Sequence, residues 1–509
     1  MKKKYGVIIN ISLLIVCCFC FSLAFASTLV KDIKIPAQFG SIKEVFTALK
    51  QTPSSERTII YIQDAHCNYE AQKNLIQILE YLVKENNLKL ILVEGGSGDV
   101  SLSFLRTYAD KKTREEVADS YLKAGKISGE EYLDIVSDSS LELYGIEDQA
   151  LYESNLNTFL ELDSYRQEAL KNLENLRLLA EKLKPYIYGL ELSEFERKRT
   201  DYEDKLFTLT QYCQYLKAAA EKKEVALKSF PHLAAFAESA RLEKVIDFKG
   251  AEEQRNNFIK ELGRLLDESG LKELLAKSQD FKAGKITSSE YYTYLSALAK
   301  YRIDIKTNYP QLASYIDYVT TGQNIDANDL LKEIPLIEDK IKEALATTNE
   351  ERHFLEISRS LGLLTKFLKL DLTPEEYASF QANESNISTT SWLGFLKDYC
   401  QKYDLPMPQY SANLIDENFA KVDDFYKLGL EREKSFIKNI EMKMDSSQLK
   451  LAVLITGGFH TPGVSQALKD KGYSYMVVTP VITKQSDSSL YFSVLRGEKS
   501  KLEEALNKE

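Results

Sequence analysis

Short apolar runs mark both ends of this chain, and each run stops at polar residues, glycine or proline. Thr58–Ile62, Leu88–Val93 and Leu141–Gly145 come first, and Leu451–Ile455 and Tyr475–Thr479 follow near the end of the sequence. Continuous runs of this length, rich in branched side chains, are typical of parallel strands buried on both faces. The pattern predicts one mostly parallel sheet built from two distant parts of the chain.

Helical patterns lie between these runs. Asn68 can cap a helix whose apolar residues recur at helical spacing as far as Asn86, and a second helix is predicted around Val464–Lys471. Strand, helix and strand in this order indicate βαβ units, with helices flanking the sheet. A last run, Leu490–Leu495, predicts an antiparallel edge strand.

The middle of the chain has a different pattern. Strand signals vanish over residues 150–430, and Glu, Lys, Leu, Ala and Tyr dominate at helical spacing. We therefore predict an α/β fold with a mostly parallel sheet and flanking helices, interrupted by a large all-helical insertion. The insertion, residues 150–430, separates two halves of the α/β core, residues 27–149 and 431–509.

One short motif recurs along the chain. Lys123–Tyr132 and Lys282–Tyr291 share Lys-Ala-Gly-Lys-Ile followed by Ser/Thr-x-x-Glu-Tyr, and Thr373–Tyr377 repeats the second half. Glycine often ends a helix, and a Ser/Thr-x-x-Glu capping box starts one. These motifs predict corners between consecutive helices rather than repeated domains or ligand sites.

Residues 1–26 have the parts of a secretory signal peptide. Lys2–Lys4 form the charged part, Val7–Phe21 the apolar part, and Ala24–Ala26 the small-x-small end, which predicts cleavage before Ser27. The protein is therefore expected to be exported, either to the periplasm or as a secreted protein. If this segment is not cleaved, it would instead anchor the protein to a membrane. No other stretch of the sequence is long and apolar enough to span one.

Charge and cysteine content narrow the classes of function. The formal net charge of -10 argues against a nucleic-acid surface as the main role of the protein. Three of the six cysteines lie in the signal segment, and Cys67, Cys213 and Cys400 remain. Three separated cysteines build neither a disulfide framework nor a CxxC zinc site.

Histidines follow two of the predicted strands. His66 comes after the first strand, and His460 follows Gly457 and Gly458 at the end of a late strand. Glu94 ends the strand that lies between them in sequence. Because the carboxyl ends of parallel strands meet at one edge of a sheet, His66, Glu94 and His460 are expected to lie close together.

Two kinds of chemistry fit these side chains. His66, Glu94 and His460 could bind a divalent metal with open positions for water, which would make all three metal ligands. Without a metal, the same groups could act as a general base and its orienting carboxylate. Asp64 could instead fix the tautomer of His66.

Other polar residues near the predicted strand ends have simpler interpretations. Glu147 and Asp148 fall on the same rim, but carboxylates at a helix start commonly accept hydrogen bonds from backbone amides. His232 lies at a helix start and His353 in a charged helical run, and both are expected to be structural. Cys67 is adjacent to His66, but its place beside a helix start favours packing over nucleophilic chemistry.

The motifs around these residues resemble those of a diverse superfamily. His66 after the first strand, Glu94 at the end of the second and the Gly-x-x-His loop Gly457–His460 are similar to the Tiki and TraB-type proteins, the erythromycin esterases and the ChaN-type haem-uptake lipoproteins. Tyr426–Ile440 resembles the arginine-bearing helix that precedes the second loop in part of that group. The resemblance implies a pocket in which Arg432 joins the two histidines and the glutamate and binds a carboxylate or an oxyanion.

This superfamily includes metal-dependent peptidases, esterases and haem binders, so the resemblance leaves the activity open. Our first hypothesis is an exported hydrolase, acting on a peptide or small-molecule ester, that uses His66, Glu94 and His460 with or without a metal and Arg432 to orient substrate. The second is a haem- or small-ligand-binding protein that uses the same histidines. The third is a partner-binding protein in which the helical insertion contacts another protein.

Overall fold

The computed structural model describes residues 29–48, 53–323, 325–383, 387, 389–411, 414–415, 418–483 and 488–498. The predicted signal peptide, residues 1–26, lies outside these ranges. Within them, no helix combines the length and the apolar character needed to cross a membrane.

One sheet of seven strands forms the α/β part of the described chain. Its strands are β1 (Gly40–Phe46), β2 (Thr58–Asp64), β3 (Leu90–Val93), β4 (Ser97–Asp99), β5 (Glu142–Ile146), β6 (Leu451–Gly457) and β7 (Ser474–Pro480). Their spatial order is β1-β7-β2-β6-β3-β5-β4. The inner strands pair in parallel, whereas β1 with β7 and β4 with β5 are antiparallel. The predicted α/β class with a mostly parallel sheet is confirmed.

Helices account for most of the remaining described residues. They are α1 (Leu29–Asp32), α2 (Tyr69–Asn86), α3 (Lys111–Lys123), α4 (Gly129–Val136), α5 (Gln149–Ile187), α6 (Leu190–Glu203), α7 (Leu209–Lys222), α8 (Pro231–Glu243), α9 (Phe248–Leu265), α10 (Glu268–Lys282), α11 (Ser288–Ala299), α12 (Ile305–Asn308), α13 (Pro310–Gln323), α14 (Ala327–Leu345), α15 (Asn349–Lys369), α16 (Pro374–Ala382), α17 (Thr389–Lys402), α18 (Phe419–Ser447), α19 (Thr461–Asp470) and α20 (Ser488–Leu495). The prediction of a strand at Leu490–Leu495 is wrong, because this run lies in α20.

The two ends of the chain interleave in the sheet. Strand β2 from the first part lies between β7 and β6 from the last part. Its register pairs Ile62 with Ile455 and Asp64 with Gly457, and the amide of Glu94 donates to the carbonyl of Ile455 at 3.1 Å. The segments that follow β2, β3 and β6 therefore leave the sheet at the same edge.

Alternating residues of β2 pack into two separate cores. Ile60 and Ile62 belong to the core beneath α2, whereas Ile59 and Tyr61 belong to the core on the other face, which includes residues of α18. All four are fully buried. Burying an apolar side chain of this size contributes roughly 1.5–3 kcal/mol, so the unbroken apolar run fixes the central place of this strand.

The start of α2 is set by residues next to the candidate site. Cys67 has a φ of 60°, a left-handed conformation that turns the chain away from β2. The Asn68 side chain then accepts a hydrogen bond from the Ala71 amide at 2.9 Å and caps the helix, as predicted. The helix ends at Asn86, where left-handed Asn87 follows.

The predicted corners between helices are present. The Ser/Thr-x-x-Glu capping boxes begin at Ser128, Thr287 and Thr373. A fourth box of the same form, unpredicted, joins Thr208 to Gln211. The residue three positions before each cap is left-handed in all four corners: Gly125, Lys205, Gly284 and Leu370. The same corner, a left-handed residue followed three positions later by a capping box, thus occurs four times between consecutive helices.

The chain divides into two compact units. The first comprises the residues up to Asn175, Gly362–Leu393 and the residues from Gln409 onward, and it contains the sheet. The second comprises Leu176–Leu361 and Gly394–Pro408. Its described residues are helical and pack around an apolar cluster that includes Phe258 and Tyr292.

Candidate active site at the sheet edge

His66 and Asp64 form a close pair where β2 ends. Nδ1 of His66 lies 2.5 Å from Oδ2 of Asp64, and the Asp64 side chain is only 5% exposed. Removal from water lowers the pKa of His66, but the Asp64 carboxylate outweighs this effect and raises that pKa to about 9. Since Nδ1 faces Asp64, Nε2 is the nitrogen that remains available for chemistry. Asp64 thus orients His66, the role suggested for it from the sequence.

Asp64 is held in place by Gln72 of α2, which also binds the start of α4. The Gln72 side-chain amide donates to Oδ1 of Asp64 at 2.6 Å, and its carbonyl oxygen accepts from the Gly129 amide at 2.6 Å. Glu130, the next residue of this helix, is 6% exposed, and its Oε2 has no hydrogen-bond partner among the described residues. Burial, and then the Asp64 charge, raise the pKa of Glu130 to about 8. Glu130 is therefore largely protonated at neutral pH.

Glu94 is fixed by donors on both carboxylate oxygens. Oε1 accepts from Nη2 of Arg432 at 2.7 Å, and Oε2 accepts from the Gly457 amide at 2.7 Å. Nε2 of His460 lies 3.5 Å from Oε1. Burial alone would raise the pKa of Glu94, but His460 and Arg432 hold it well below its usual range. Glu94 is therefore an anion at neutral pH.

Arg432 holds two carboxylates together. Its guanidinium donates to Glu94, to both oxygens of Glu147 and, at 3.1 Å, to the side chain of Asn155. Glu147 also accepts from the Gly95 amide at 3.2 Å. The arginine predicted from the family resemblance thus lies in the site, with its N–H groups directed at protein acceptors.

Glu147 and Asp148 were both expected to be helix-start carboxylates. Asp148 is one, because it accepts from the Leu151 amide at 3.1 Å. The side chain of Glu147 points instead to Arg432, so for this residue the expectation is wrong.

His460 lies between two carboxylates. Nδ1 is 3.2 Å from Oε1 of Glu433, and Nε2 faces Glu94. Burial lowers the pKa of His460, but the two acids outweigh burial and raise it to about 9. The Glu433 side chain occupies the space that a side chain on Gly463 would need. His460 is therefore a buried imidazolium at neutral pH.

A small space separates His66 from Glu94 above Gly457. A Cβ atom placed on Gly457 would lie 3.4 Å from Nε2 of His66 and 3.6 Å from Oε2 of Glu94. Gly457 therefore places no side chain between these two polar atoms. We call this space the Gly457 niche.

The donor arrangement gives no common site for a metal. Among the described residues, no group of three or more His, Cys, Asp or Glu side chains is placed to hold one ion. Both nitrogens of His460 face carboxylates, and both oxygens of Glu94 accept from protein donors. A metal bound by His66, Glu94 and His460, or a haem bound by the histidines, stays a prediction from sequence, and no reaction step below depends on either.

The other candidates have structural contacts. Cys67 is half-buried, and burial raises the pKa of its thiol to about 11, which does not favour a nucleophile at neutral pH. No disulfide joins Cys67, Cys213 and Cys400. Nδ1 of His232 accepts from the Asp326 amide at 3.1 Å, and the His353 ring packs edge-on against Phe395.

Five residues at this site were not predicted: Gln72, Glu130, Asn155, Glu433 and Tyr491, whose ring stacks on His66. Glu433 directly follows Arg432 in the sequence, and an acidic neighbour of a site arginine was a usable signal. Gln72 and Glu130 come from helices whose packing the sequence pattern does not define. Tyr491 lies in the segment that was predicted as a strand.

Models of known protein families, curated proteins and solved structures were compared with this chain, and none of them matches. The resemblance to the superfamily of Tiki and TraB-type proteins, erythromycin esterases and ChaN-type lipoproteins therefore stays a prediction from short motifs. The geometry of the site carries the functional proposal instead.

Proposed function

We propose that this protein is an exported hydrolase that cleaves an ester or peptide bond, with His66 as the general base. The observation that carries the proposal is the Gly457 niche, which is bordered by Nε2 of His66 on one side and Oε2 of Glu94 on the other. A histidine oriented by a carboxylate and facing a small polar space is the arrangement that general base catalysis requires.

In this proposal the attacking water binds in the niche, between the imidazole and the carboxylate. A water molecule there can donate one hydrogen bond to the neutral Nε2 of His66 and the other to the Glu94 carboxylate. In the reaction, Nε2 takes a proton from this water while its oxygen adds to the carbonyl carbon of the substrate. Asp64 stabilises the imidazolium that forms. The proton then passes to the leaving oxygen or nitrogen as its bond to carbon breaks.

The remaining charged groups keep Glu94 in place. Arg432 and His460 compensate its charge, and the Gly457 amide fixes its second oxygen. These contacts keep the Glu94 carboxylate deprotonated and fix its position beside the niche. Arg432 supports the site through Glu94 in this mechanism, whereas the family resemblance implied direct contact with substrate.

The test is hydrolysis of a panel of p-nitrophenyl esters and fluorogenic peptides by the purified protein. His66→Gln should lower kcat/KM by about 10²–10⁴-fold, the usual contribution of a general base. Asp64→Asn should also lower it, because an amide does not stabilise the imidazolium. His353→Gln is the matched control, since this histidine is in the other compact unit. Equal rates in wild type and His66→Gln would show that the base is wrongly assigned.

The rate should also depend on pH in a defined direction. The pKa of His66 is raised to about 9, so the neutral base becomes more abundant as pH rises, and kcat/KM should increase from pH 7 towards pH 9.

Dialysis against a chelator separates this mechanism from the metal-dependent one. Activity that survives chelation supports the proposal, whereas activity lost and restored by Zn²⁺ would support the predicted metal site.

A further inference from the structure

Helix α20, near the end of the described chain, places an aromatic ring on His66. The Tyr491 ring stacks on the imidazole with a centroid distance of 5.6 Å and an angle of 7° between the planes. The neighbouring Leu490 lies close to Gly125, which also contacts Cys67. Helix α20 thus covers the segment that links β2 to α2.

This helix is anchored away from the histidine by its own side chains. The Phe492 ring stacks on Phe159 at 5.8 Å, and the Arg166 guanidinium lies 3.9 Å from its centroid. Arg496 forms an ion pair with Asp163 at 3.0 Å, and Asp163 also pairs with Arg166 at 2.9 Å. The Phe492 contacts connect α20 to α5, and the Arg496–Asp163 ion pair connects the residue after α20 to α5, all within the first compact unit. The position of Tyr491 is therefore fixed independently of His66.

The hydrogen bond that Nδ1 of His66 donates to Asp64 does not define the orientation of the ring completely. A ring held at Nδ1 alone can still tilt about that bond, since χ2 of histidine has a broad range. The His66 side chain is 40% exposed, so few other groups restrain it. A parallel aromatic ring on one face sets the plane of the imidazole. Asp64 and Tyr491 together then direct Nε2 towards the Gly457 niche.

We propose that Tyr491 is a positioning residue for His66, and that α20 is part of the active site for this reason. The inference rests on the proposed function, in which Nε2 of His66 activates water. The aromatic ring is the part of Tyr491 that matters, because the recorded contact with His66 is ring to ring. A misplaced base slows the chemical step more than it weakens substrate binding.

The experiment compares Tyr491→Phe, which keeps the ring, with Tyr491→Leu, which removes it. In hydrolysis of p-nitrophenyl acetate, Tyr491→Leu should lower kcat about tenfold with little change in KM. Tyr491→Phe should stay within about twofold of wild type. Tyr301→Leu is the matched control, because this tyrosine is 87% exposed and lies in the other unit.

A second measurement reports on His66 without any substrate. Diethyl pyrocarbonate modifies accessible neutral imidazole, and mass spectrometry of the peptide that contains His66 gives the rate. This rate should rise several-fold in Tyr491→Leu and remain unchanged in Tyr491→Phe. Arg496→Ala, which loosens α20 but keeps the ring, should give an intermediate increase.

The two measurements separate this inference from the proposed function. If the protein hydrolyses none of the substrates but the modification rates follow the expected order, the positioning of His66 stands and the hydrolase proposal fails. If Tyr491→Leu matches wild type in its modification rate, the positioning role is overturned. Equal changes in Tyr491→Phe and Tyr491→Leu would also overturn it, because the hydroxyl group rather than the ring would then be responsible. Circular dichroism and melting temperature confirm that each variant folds.

Discussion

At the scale of single residues, the site consists of ionisable side chains that form hydrogen bonds and ion pairs with one another. His66 and His460 were predicted from their positions after strands, and Glu94 from the end of another. The structure brings these three residues to one edge of the sheet. Their partners could not be predicted in the same way, because Glu433 reaches His460 only through the packing of α18 on the sheet. The hydrophobic pattern of a sequence predicts where a strand ends. It does not predict which side chain of a distant helix will face that strand end.

Gly457→Ala tests the niche without disturbing the fold. Gly457 has φ of −58° and ψ of 152°, which alanine adopts without strain. The added methyl group would be in ordinary contact with His66 and Glu94 and would fill the space assigned to water. We expect hydrolysis to fall by at least about tenfold, while stability changes by less than about 1 kcal/mol.

Gly458→Ala provides the comparison, because a Cβ atom there meets no atom within 4 Å. The test compares the hydrolysis rates of both variants on the same ester panel, and their melting curves show whether either substitution changes stability. Full activity in Gly457→Ala would remove the niche from the mechanism.

At the scale of elements, two close approaches of backbone shape the site. Gly145 in β5 faces Gly96 so closely that a side chain at residue 145 would overlap the Gly96 carbonyl and the Ser97 amide. This contact holds the turn after β3, which places Glu94 at the sheet edge and the Gly95 amide on Glu147. Helix α18 supplies Arg432 and Glu433 as consecutive residues, which lie about 100° apart around the helix axis and so face different partners.

Gly145→Ala should destabilise the protein and disturb the position of Glu94. Forcing a methyl group against backbone that cannot move aside costs about 3 kcal/mol. Gly362→Ala in α15 is the control, since nothing lies within 4 Å of its added Cβ atom, and a mid-helix glycine replaced by alanine should gain roughly 0.5–1 kcal/mol. Chemical denaturation gives both values. A loss below about 1 kcal/mol in Gly145→Ala would mean that the turn adapts.

The elements show where sequence patterns succeed and fail. The five mainly apolar runs gave five of the strands, because strands buried on both faces need apolar side chains on both sides. Strand β1 was missed because most of its residues are exposed and, among the described strands, it pairs with β7 alone. The run Leu490–Leu495 was misjudged because six residues, five of them apolar or aromatic, fit a short strand and a short helix equally well. Contacts of Phe492 with α5, which no local pattern contains, select the helix.

At the scale of the whole molecule, composition separated the sheet from the helical region. The change from branched apolar runs to Glu, Lys, Leu and Ala at helical spacing identified a large helical insertion. The compact units follow spatial packing instead, so Gly362–Leu393 joins the sheet unit although it is helical. Such boundaries depend on which helices pack on the sheet, and periodicity along a single helix does not contain that information.

Ionisable groups whose pKa values differ between the folded and unfolded states predict how stability changes with pH. The pKa of Glu130 is raised to about 8, and those of His66 and His460 to about 9. Between about pH 4.5 and 9 the folded protein therefore binds more protons than the unfolded chain, and the free energy of unfolding must fall as pH rises. Below about pH 4.5, loss of the Glu94 charge opposes folding, because its pKa is lowered in the folded state. Stability should be greatest near pH 5.

Glu130→Gln isolates one part of this dependence. Glutamine resembles the protonated acid, so the variant should keep stability that the wild type loses as pH rises above about 4.5. Glu116→Gln, whose glutamate side chain is 70% exposed, is the control and should change little. Denaturation followed by fluorescence of Trp392, the single tryptophan, reports on the unit that contains the site. Parallel stability curves for wild type and Glu130→Gln across this range would show that Glu130 is ionised in the folded protein.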